Sequence, residues 1–427
     1  MNIYIERPPS GGWIRAAGSK FHAHRMLICA ALSDKQTYVE CAERSDDIDA
    51  TISCLTSLGA RIDHNGEGFS VSPIVFPVPD VKISQTCGES GATLRFMLPV
   101  CCALGVSAEF ITRGSHRSRT TSPLLEQLSI NGCEIRMSGG ALSCSGKLQS
   151  GSFVLQGNVS SEFISGLLLA LPLLDGSSVI NVEGRIESMS DVTFSLDCLR
   201  MFDVKVNKRG SRSDRGVIYL IEGGQKYISP GKATVEGDWY YAAVWLGAGA
   251  IGGKGITCSG LNLGSSQGEM AILRQVEKFG ATVEYGGTEV TVSPAKTRGI
   301  VFDASSTPDL VPILALIASV SEGETYVNNT GGLRIQESGR LSAIAETLNA
   351  LGADVRELQD GLMIRGKESL VGGRILSMDD CRIVMMASIA SMVCTEHVTI
   401  MAAESLSNSY PSFFEDFKML GGEFRIK

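Results

Sequence analysis

Cys-x-x-Cys pairs and Cys/His clusters are missing from this 427-residue chain, although it carries 12 cysteines. Without ligand spacing of that kind, neither a zinc site nor a small disulfide framework is expected, and the thiols read as reduced and mostly buried. Charge is sparse as well. Asp, Glu, Lys and Arg make up 20% of the residues, and neither a block of like charge nor a proline-rich tract interrupts the pattern, so no disordered tail is expected. The balance that remains is acidic, with a formal net charge of −8 and a pI near 5.3. Nucleic acid and anionic membrane surfaces attract basic proteins, so neither is an expected partner. The longest apolar stretches, such as residues 163–174, fall short of the roughly 20 residues a bilayer span requires. The opening Met1-Asn2-Ile3-Tyr4-Ile5-Glu6 lacks the basic-then-apolar order of a secretory leader, and a cytoplasmic location is the expectation.

What the chain does have is apolar residues, 44% of the total, in a pattern that repeats about every seventy residues. Six amphipathic helices are expected to close at Leu58-Gly59-Ala60, Ile130-Asn131-Gly132, Met201-Phe202-Asp203, Phe279-Gly280-Ala281, Leu351-Gly352-Ala353 and Leu420-Gly421-Gly422, each followed by a strand. Glycine, asparagine and aspartate suit the left-handed position that ends a helix. A second series of six segments, 20–32, 91–104, 161–173, 239–251, 308–320 and 382–394, is apolar nearly all round, the mark of a buried helix. One buried and one half-exposed helix per unit, with short strands between, predicts an α/β fold in which buried helices are covered by short sheets, three units to a domain. The first and fourth buried helices bracket three complete units, so the expected domains are residues 18–237, and residues 1–17 with 238–427. Two crossings, near Ala17 and Gly237, would then act as a double hinge beside a cleft, which favours a monomer that closes on its ligand.

Each buried helix opens on a polar capping sequence, such as Gly18-Ser19-Lys20, Glu89-Ser90-Gly91, Asn158-Val159-Ser160-Ser161, Pro308-Asp309 and Asp380-Cys381-Arg382. Helix starts supply unpaired N–H groups and a positive dipole end, which together suit phosphate or carboxylate. The cations accord with that. Lys20 and Arg25 lie on the first buried helix, Arg95 on the second, Arg119 on a Gly/Ser-rich loop, Arg340 on a helix, and Arg382 at the start of the sixth. Arginine forks match both anion types.

Gly18-Ser19-Lys20…His24-Arg25, Glu89-Ser90-Gly91…Leu94-Arg95-Phe96, Gly157-Asn158-Val159-Ser160-Ser161, Pro308-Asp309-Leu310-Val311-Pro312, Leu333-Arg334…Glu337-Ser338…Arg340 and Asp380…Arg382 resemble, in order and across essentially the whole chain, the enolpyruvyl transferase family. The resemblance implies the two-domain inside-out α/β fold of that family. It implies transfer of the enolpyruvyl group of phosphoenolpyruvate to the 5-hydroxyl of shikimate 3-phosphate, through a tetrahedral ketal and without metal or organic cofactor. It assigns Asp309 as proton acceptor, Glu337 as a second acid/base group, and Lys20 to proton transfer. Lys20, Gly91, Arg119, Arg340 and Arg382 would hold phosphoenolpyruvate. Arg25, Ser160, Ser161, Glu162, Ser188, Asp309 and Gln336 would hold the acceptor.

Several positions depart from the family pattern. Phe21 stands where the second serine of Ser-Lys-Ser is usual, Glu162 replaces a glutamine, Asp191 a tyrosine, Gln336 a lysine, Gly339 an aspartate, Cys381 a histidine and Asn408 a lysine. Tyr240 and Tyr241 occupy positions that are usually small. Phe21, Glu162, Asp191 and Gln336 all fall on the acceptor side. Glu162 is expected to be either protonated or paired with Arg25. The alternatives to shikimate 3-phosphate transfer are an enolpyruvyl transferase with another acceptor, and a decayed paralogue that only binds anions.

Overall fold

The computed structural model describes residues 1–41, 43–75, 82–113, 122–138, 141–186, 188–210, 216–334 and 339–427. The chain divides into two compact units, Met1–Ala17 with Glu236–Lys427, and Gly18–Val235. Among the described residues each unit holds three four-stranded sheets of one topology. In one of them Ile83–Gly88 runs parallel to Ala108–Thr112, which pairs antiparallel with Ala141–Ser145, itself antiparallel to Glu134–Ser138. The helix Gly91–Leu104 makes the parallel crossover and is buried along nearly its whole length, while Ser122–Ile130 leads into the closing hairpin.

The repeat is cut at the two crossings. Gly12–Arg15 precedes the helix Lys20–Ala31 in sequence yet pairs parallel with Ile256–Ser259 of its own unit. Reciprocally, Lys232–Thr234 precedes Trp239–Ile251 yet pairs with Thr37–Glu40. Ile3–Arg7 completes the sheet of Val398–Met401 and Glu423–Ile426. Each unit therefore borrows no strand, but its sheets join segments far apart in sequence.

The six buried helices are Lys20–Ala31, Gly91–Leu104, Ser161–Ala170, Trp239–Ile251, Val311–Ser319 and Cys381–Ala390. Apart from the first, which stops one residue short at Ala31, three depart from the expected bounds. The segment 308–320 starts as a 3₁₀ turn, Pro308–Leu310, before the α-helix begins, because Pro308 and Pro312 have no N–H to give. The segment 161–173 ends in a 3₁₀ turn, Leu171–Leu173, at Pro172. The sixth helix begins at Cys381 rather than Arg382, with Asp380 as its cap, and finishes in a 3₁₀ turn, Ser391–Val393. At Gly166 helix contact is close enough to require glycine: a Cβ there would lie 2.2 Å from the Arg95 carbonyl oxygen. That approach sets Ser161–Ala170 against Gly91–Leu104 and carries Glu162 to Arg95.

The half-exposed helices all end on a residue of positive φ: Gly59 (101°), Gly132 (98°), Asp203 (57°), Gly280 (115°), Gly352 (97°) and Gly421 (90°). Two of them separate backbone strain from crowding. Nothing lies within 4 Å of a Cβ built on Gly59, whereas one on Gly352 meets Val371 Cγ2 at 2.9 Å and Val371 N at 3.1 Å. Gly59→Ala is expected to cost about 1 kcal/mol from left-handed strain alone, and Gly352→Ala about 2 kcal/mol or more. Denaturant titration of both variants measures the difference.

Candidate active site

In the unit that includes residues 236–427, three helix starts bring four charges together. Asp309 sits on the 3₁₀ turn Pro308–Leu310, Arg340 is the first residue of Arg340–Ala350, and Asp380 caps Cys381–Ala390. Gly339, at φ 56°, turns the chain into the Arg340 helix, a backbone conformation glycine adopts without strain. Asp380 Oδ1 accepts the Arg382 backbone N–H at 2.9 Å, and its Oδ2 accepts Arg340 Nε–H at 2.7 Å. Asp309 bridges the two arginines. Its Oδ1 lies 3.0 Å from Arg340 Nη1 and 2.9 Å from Arg382 Nε, and its Oδ2 accepts from Arg382 Nη2 at 3.1 Å.

Exposure divides the four into two pairs. The side chains of Arg340 (2%) and Asp380 (1%) are sealed, whereas Arg382 (19%) and Asp309 (23%) remain reachable. Burial pushes the Asp309 carboxyl upward, but the charges of Arg382 and Arg340 outweigh it and hold the group below its usual range. Burial acts on Asp380 in the same way, and Arg340 and Arg382 again prevail. Carboxylates held down in the folded state add stability that is complete above about pH 4 and lost as the pH falls through their lowered values. Both are therefore ionised at neutral pH, and Arg382, with its pKa pulled up by Asp309 against the opposing effect of burial, remains a cation. Asp309 and Arg382 also line a small pocket with Tyr240, Val244, Ile313 and Met386.

In the unit Gly18–Val235, Lys20 opens its helix and forms an ion pair with Asp47 at 2.7 Å, both side chains largely covered. Asp47 belongs to the first turn of Asp46–Ser57, which Ser45 caps. Gly91 opens its helix after Ser90, whose Oγ accepts the Thr93 N–H at 3.2 Å. Arg25 is 1% exposed. Its Nε donates to Ser195 Oγ at 2.7 Å, its Nη1 to the Phe21 carbonyl at 2.8 Å, and its Nη2 to Ser165 Oγ and the Asp191 carbonyl at 3.4 Å each. The rings of Phe96 and Phe194 flank it at 4.9 and 5.9 Å.

The expected Glu162–Arg25 pair does not form. Glu162 pairs with Arg95, because the contact at Gly166 brings those two helices together while Arg25 is already surrounded by hydroxyls, carbonyls and rings. Ser160 caps its helix, accepting the Glu162 N–H at 3.3 Å, and Ser161 Oγ donates to Asp191 Oδ2 at 3.0 Å. Phe21 is half-buried, with the Lys20 ammonium 5.4 Å from its ring centroid. Ser188, at φ 53°, precedes the helix Met189–Met201. His22 and His24 are held neutral, burial lowering them to about 3 and about 4. Arg119, Gln336 and Glu337 lie outside the described residues, as does the side chain of Asn408.

The sequence reasoning passed over Asp47, Asp380 as a side chain, Ser165 and Ser195. Asp380 reads as a helix-start residue, which it is, and only its cationic partners reveal the second role; Asp47 lies in the first turn of its helix and shows its role only through Lys20. Ser165 and Ser195 carry no sequence signal, since both are single hydroxyls on otherwise apolar faces.

Comparison with known proteins bears on the whole chain. Residues 7–417 match the family EPSP synthase (3-phosphoshikimate 1-carboxyvinyltransferase). A 3-phosphoshikimate 1-carboxyvinyltransferase of Clostridium kluyveri is 40% identical over 417 residues, covering 96% of this chain and 95% of that protein. One of Clostridium acetobutylicum is 41% identical over 422 residues, with 96% and 95% covered. Among solved structures, an EPSP synthase from Acinetobacter baumannii superimposes with a TM-score of 0.82 at 21% identity, all of both chains being covered. The enolpyruvyl transferase NikO from Streptomyces tendae gives 0.81 at 19% identity, over 99% of this chain and 98% of that one. These two share the two-domain inside-out α/β fold expected from the repeat. With a match from residue 7 to residue 417 and relatives near 40% identity over 96% of its length, the chain belongs to the EPSP synthase family.

Proposed function

We propose that this protein transfers the enolpyruvyl group of phosphoenolpyruvate to the 5-hydroxyl of shikimate 3-phosphate and releases phosphate. The observation that carries the reading is the Asp309 carboxylate held between Arg340 and Arg382. In the addition step the acceptor oxygen bonds to C2 of phosphoenolpyruvate while C3 gains a proton, giving a tetrahedral phosphate ketal. Phosphate then leaves and C3 returns a proton, restoring the enol. Asp309 is assigned to take the hydroxyl proton, with Glu337 and Lys20 as the further proton-transfer groups.

The arrangement supports this assignment through charge. In the free protein two cations depress the basicity of Asp309. An anionic ligand that draws on Arg382 weakens that hold, so the carboxylate becomes a better base when phosphoenolpyruvate is in place. Lys20, Gly91, Arg119, Arg340 and Arg382 make up the assigned phosphoenolpyruvate set, and Arg25, Ser160, Ser161, Glu162, Ser188 and Gln336 the acceptor set. The reading includes a monomeric cytoplasmic protein acting on small anions, which local cations such as Arg382 would hold against a net charge of −8. No described helix is long and apolar enough to cross a membrane.

A second reading, transfer to a different hydroxyl-bearing acceptor, is favoured by one observation. Acceptor-side groups are already engaged within the chain: the Asp191 carboxylate takes Ser161, and Glu162 pairs with Arg95. Binding of phosphoenolpyruvate without binding of shikimate 3-phosphate would favour it.

Phosphate release from phosphoenolpyruvate plus shikimate 3-phosphate tests the first reading, and no turnover by folded protein at millimolar substrates would overturn it. Asp309→Asn is expected to lower the rate at least about a hundredfold with the fold retained. Asp380→Ala should act differently, because it removes the sealed carboxylate on Arg340 Nε and the cap of Cys381–Ala390. A stability loss of about 3 to 5 kcal/mol is expected, read by denaturant titration.

A further inference from the structure

Tyr240 and Tyr241 stand side by side at the start of Trp239–Ile251, both backbone N–H groups donating to Asp238 Oδ1, at 2.8 and 3.0 Å. Their hydroxyls are used differently. Tyr241 Oη donates to the Ser409 carbonyl at 2.5 Å and lies 2.9 Å from Ser409 Oγ, while its ring stacks on Tyr410 at 4.1 Å. Tyr227 and Tyr410 likewise place their hydroxyls on oxygen acceptors, the Leu169 carbonyl and the Asp416 carboxyl. Tyr240 is buried, at 6% exposure, yet among the described residues its hydroxyl has no hydrogen-bond partner. The hydroxyl oxygen keeps some exposure, unlike the fully covered polar atoms that lack a partner, so the donor is open to water or to a ligand.

The position of this donor gives it meaning. Tyr240 lines the pocket shared by Asp309 and Arg382, and the Arg382 guanidinium lies 5.2 Å from its ring centroid. The ring face steadies the arginine. Burial raises the phenol well above its usual range, the Arg382 charge opposing it, so the proton stays on the oxygen. Cys381, next to Arg382 in the chain, and Asn408 stand where the family pattern has a histidine and a lysine, so a neutral donor in this unit offsets part of the lost cationic character.

We propose that Tyr240 is an additional ligand-binding residue, its hydroxyl donating to an anionic oxygen of the phosphoenolpyruvate that Arg382 attracts. The proposal rests on the phosphoenolpyruvate reading given above. Tyr240→Phe keeps the ring over Arg382 and removes the donor alone. Calorimetric titration of the full-length protein with phosphoenolpyruvate should show its Kd raised about tenfold in that variant, the worth of one hydrogen bond to a charged oxygen. The KM for phosphoenolpyruvate should rise in step, with the KM for shikimate 3-phosphate within about twofold and the thermal midpoint unchanged. Tyr240→Ser, which also loses the ring, should bind more weakly still. A Phe variant that binds phosphoenolpyruvate as tightly as the unaltered protein would overturn the proposal and leave the hydroxyl a merely hydrated group. Binding without turnover of shikimate 3-phosphate would sink the acceptor assignment while leaving Tyr240 to be judged on binding. Failure of the unaltered protein to bind phosphoenolpyruvate at all would overturn both.

Discussion

The Asp309 carboxylate bridges two guanidinium groups, and the surrounding structure is arranged so that this bridge can exist. Arg340 is sealed from water, a placement that is strongly unfavourable for an unpaired cation. Asp380 makes it tolerable from beneath and Asp309 from above. Asp380 is itself sealed, and is stabilised by capping the helix that carries Arg382. Two positive and two negative charges thus close a circuit across three helix starts from two neighbouring repeat units. Asp309 and Arg382 are the members left within reach of solvent. Such a circuit fixes the relative orientation of base and cation before any ligand arrives, which is where preorganised electrostatics has its effect.

The unit Gly18–Val235 follows another logic. Its cations are mostly satisfied from within: Lys20 by Asp47, Arg95 by Glu162, and Arg25 by hydroxyls, carbonyls and aromatic faces. An incoming anion there must compete with carboxylates of the chain. In the other unit an anion would reach Arg382, whose partner Asp309 is the proposed base. Under the proposed function, this contrast separates the altered positions assigned to the acceptor from the Asp309 circuit assigned to the chemistry.

Much of the fold was legible in the sequence because it follows from local physics. Helices without a polar face are buried, and left-handed termini select Gly59, Gly132, Asp203, Gly280, Gly352 and Gly421. The 3₁₀ turn at Asp309 was missed, although Pro308 and Pro312 together announce it. The candidate site was legible as a set of residues but not as a set of pairs. Glu162 has two arginines within plausible reach in sequence terms, and which one it meets depends on a close helix contact at Gly166. No local pattern encodes that. The same holds for Arg25, whose hydroxyl partners Ser165 and Ser195 come from two further helices, and for the pairing of Gly12–Arg15 and Lys232–Thr234 with strands far away in sequence.

The central claim is that Arg340 and Arg382 hold down the basicity of Asp309 until an anionic ligand shares their charge. Site-resolved NMR titration of the Asp309 carboxyl, without and with saturating phosphoenolpyruvate, tests it most directly. The account predicts a pKa below the ordinary carboxylate range in the free protein and an upward shift in the complex. A carboxyl that titrates in its ordinary range when free, or that does not move upward on binding, would contradict it.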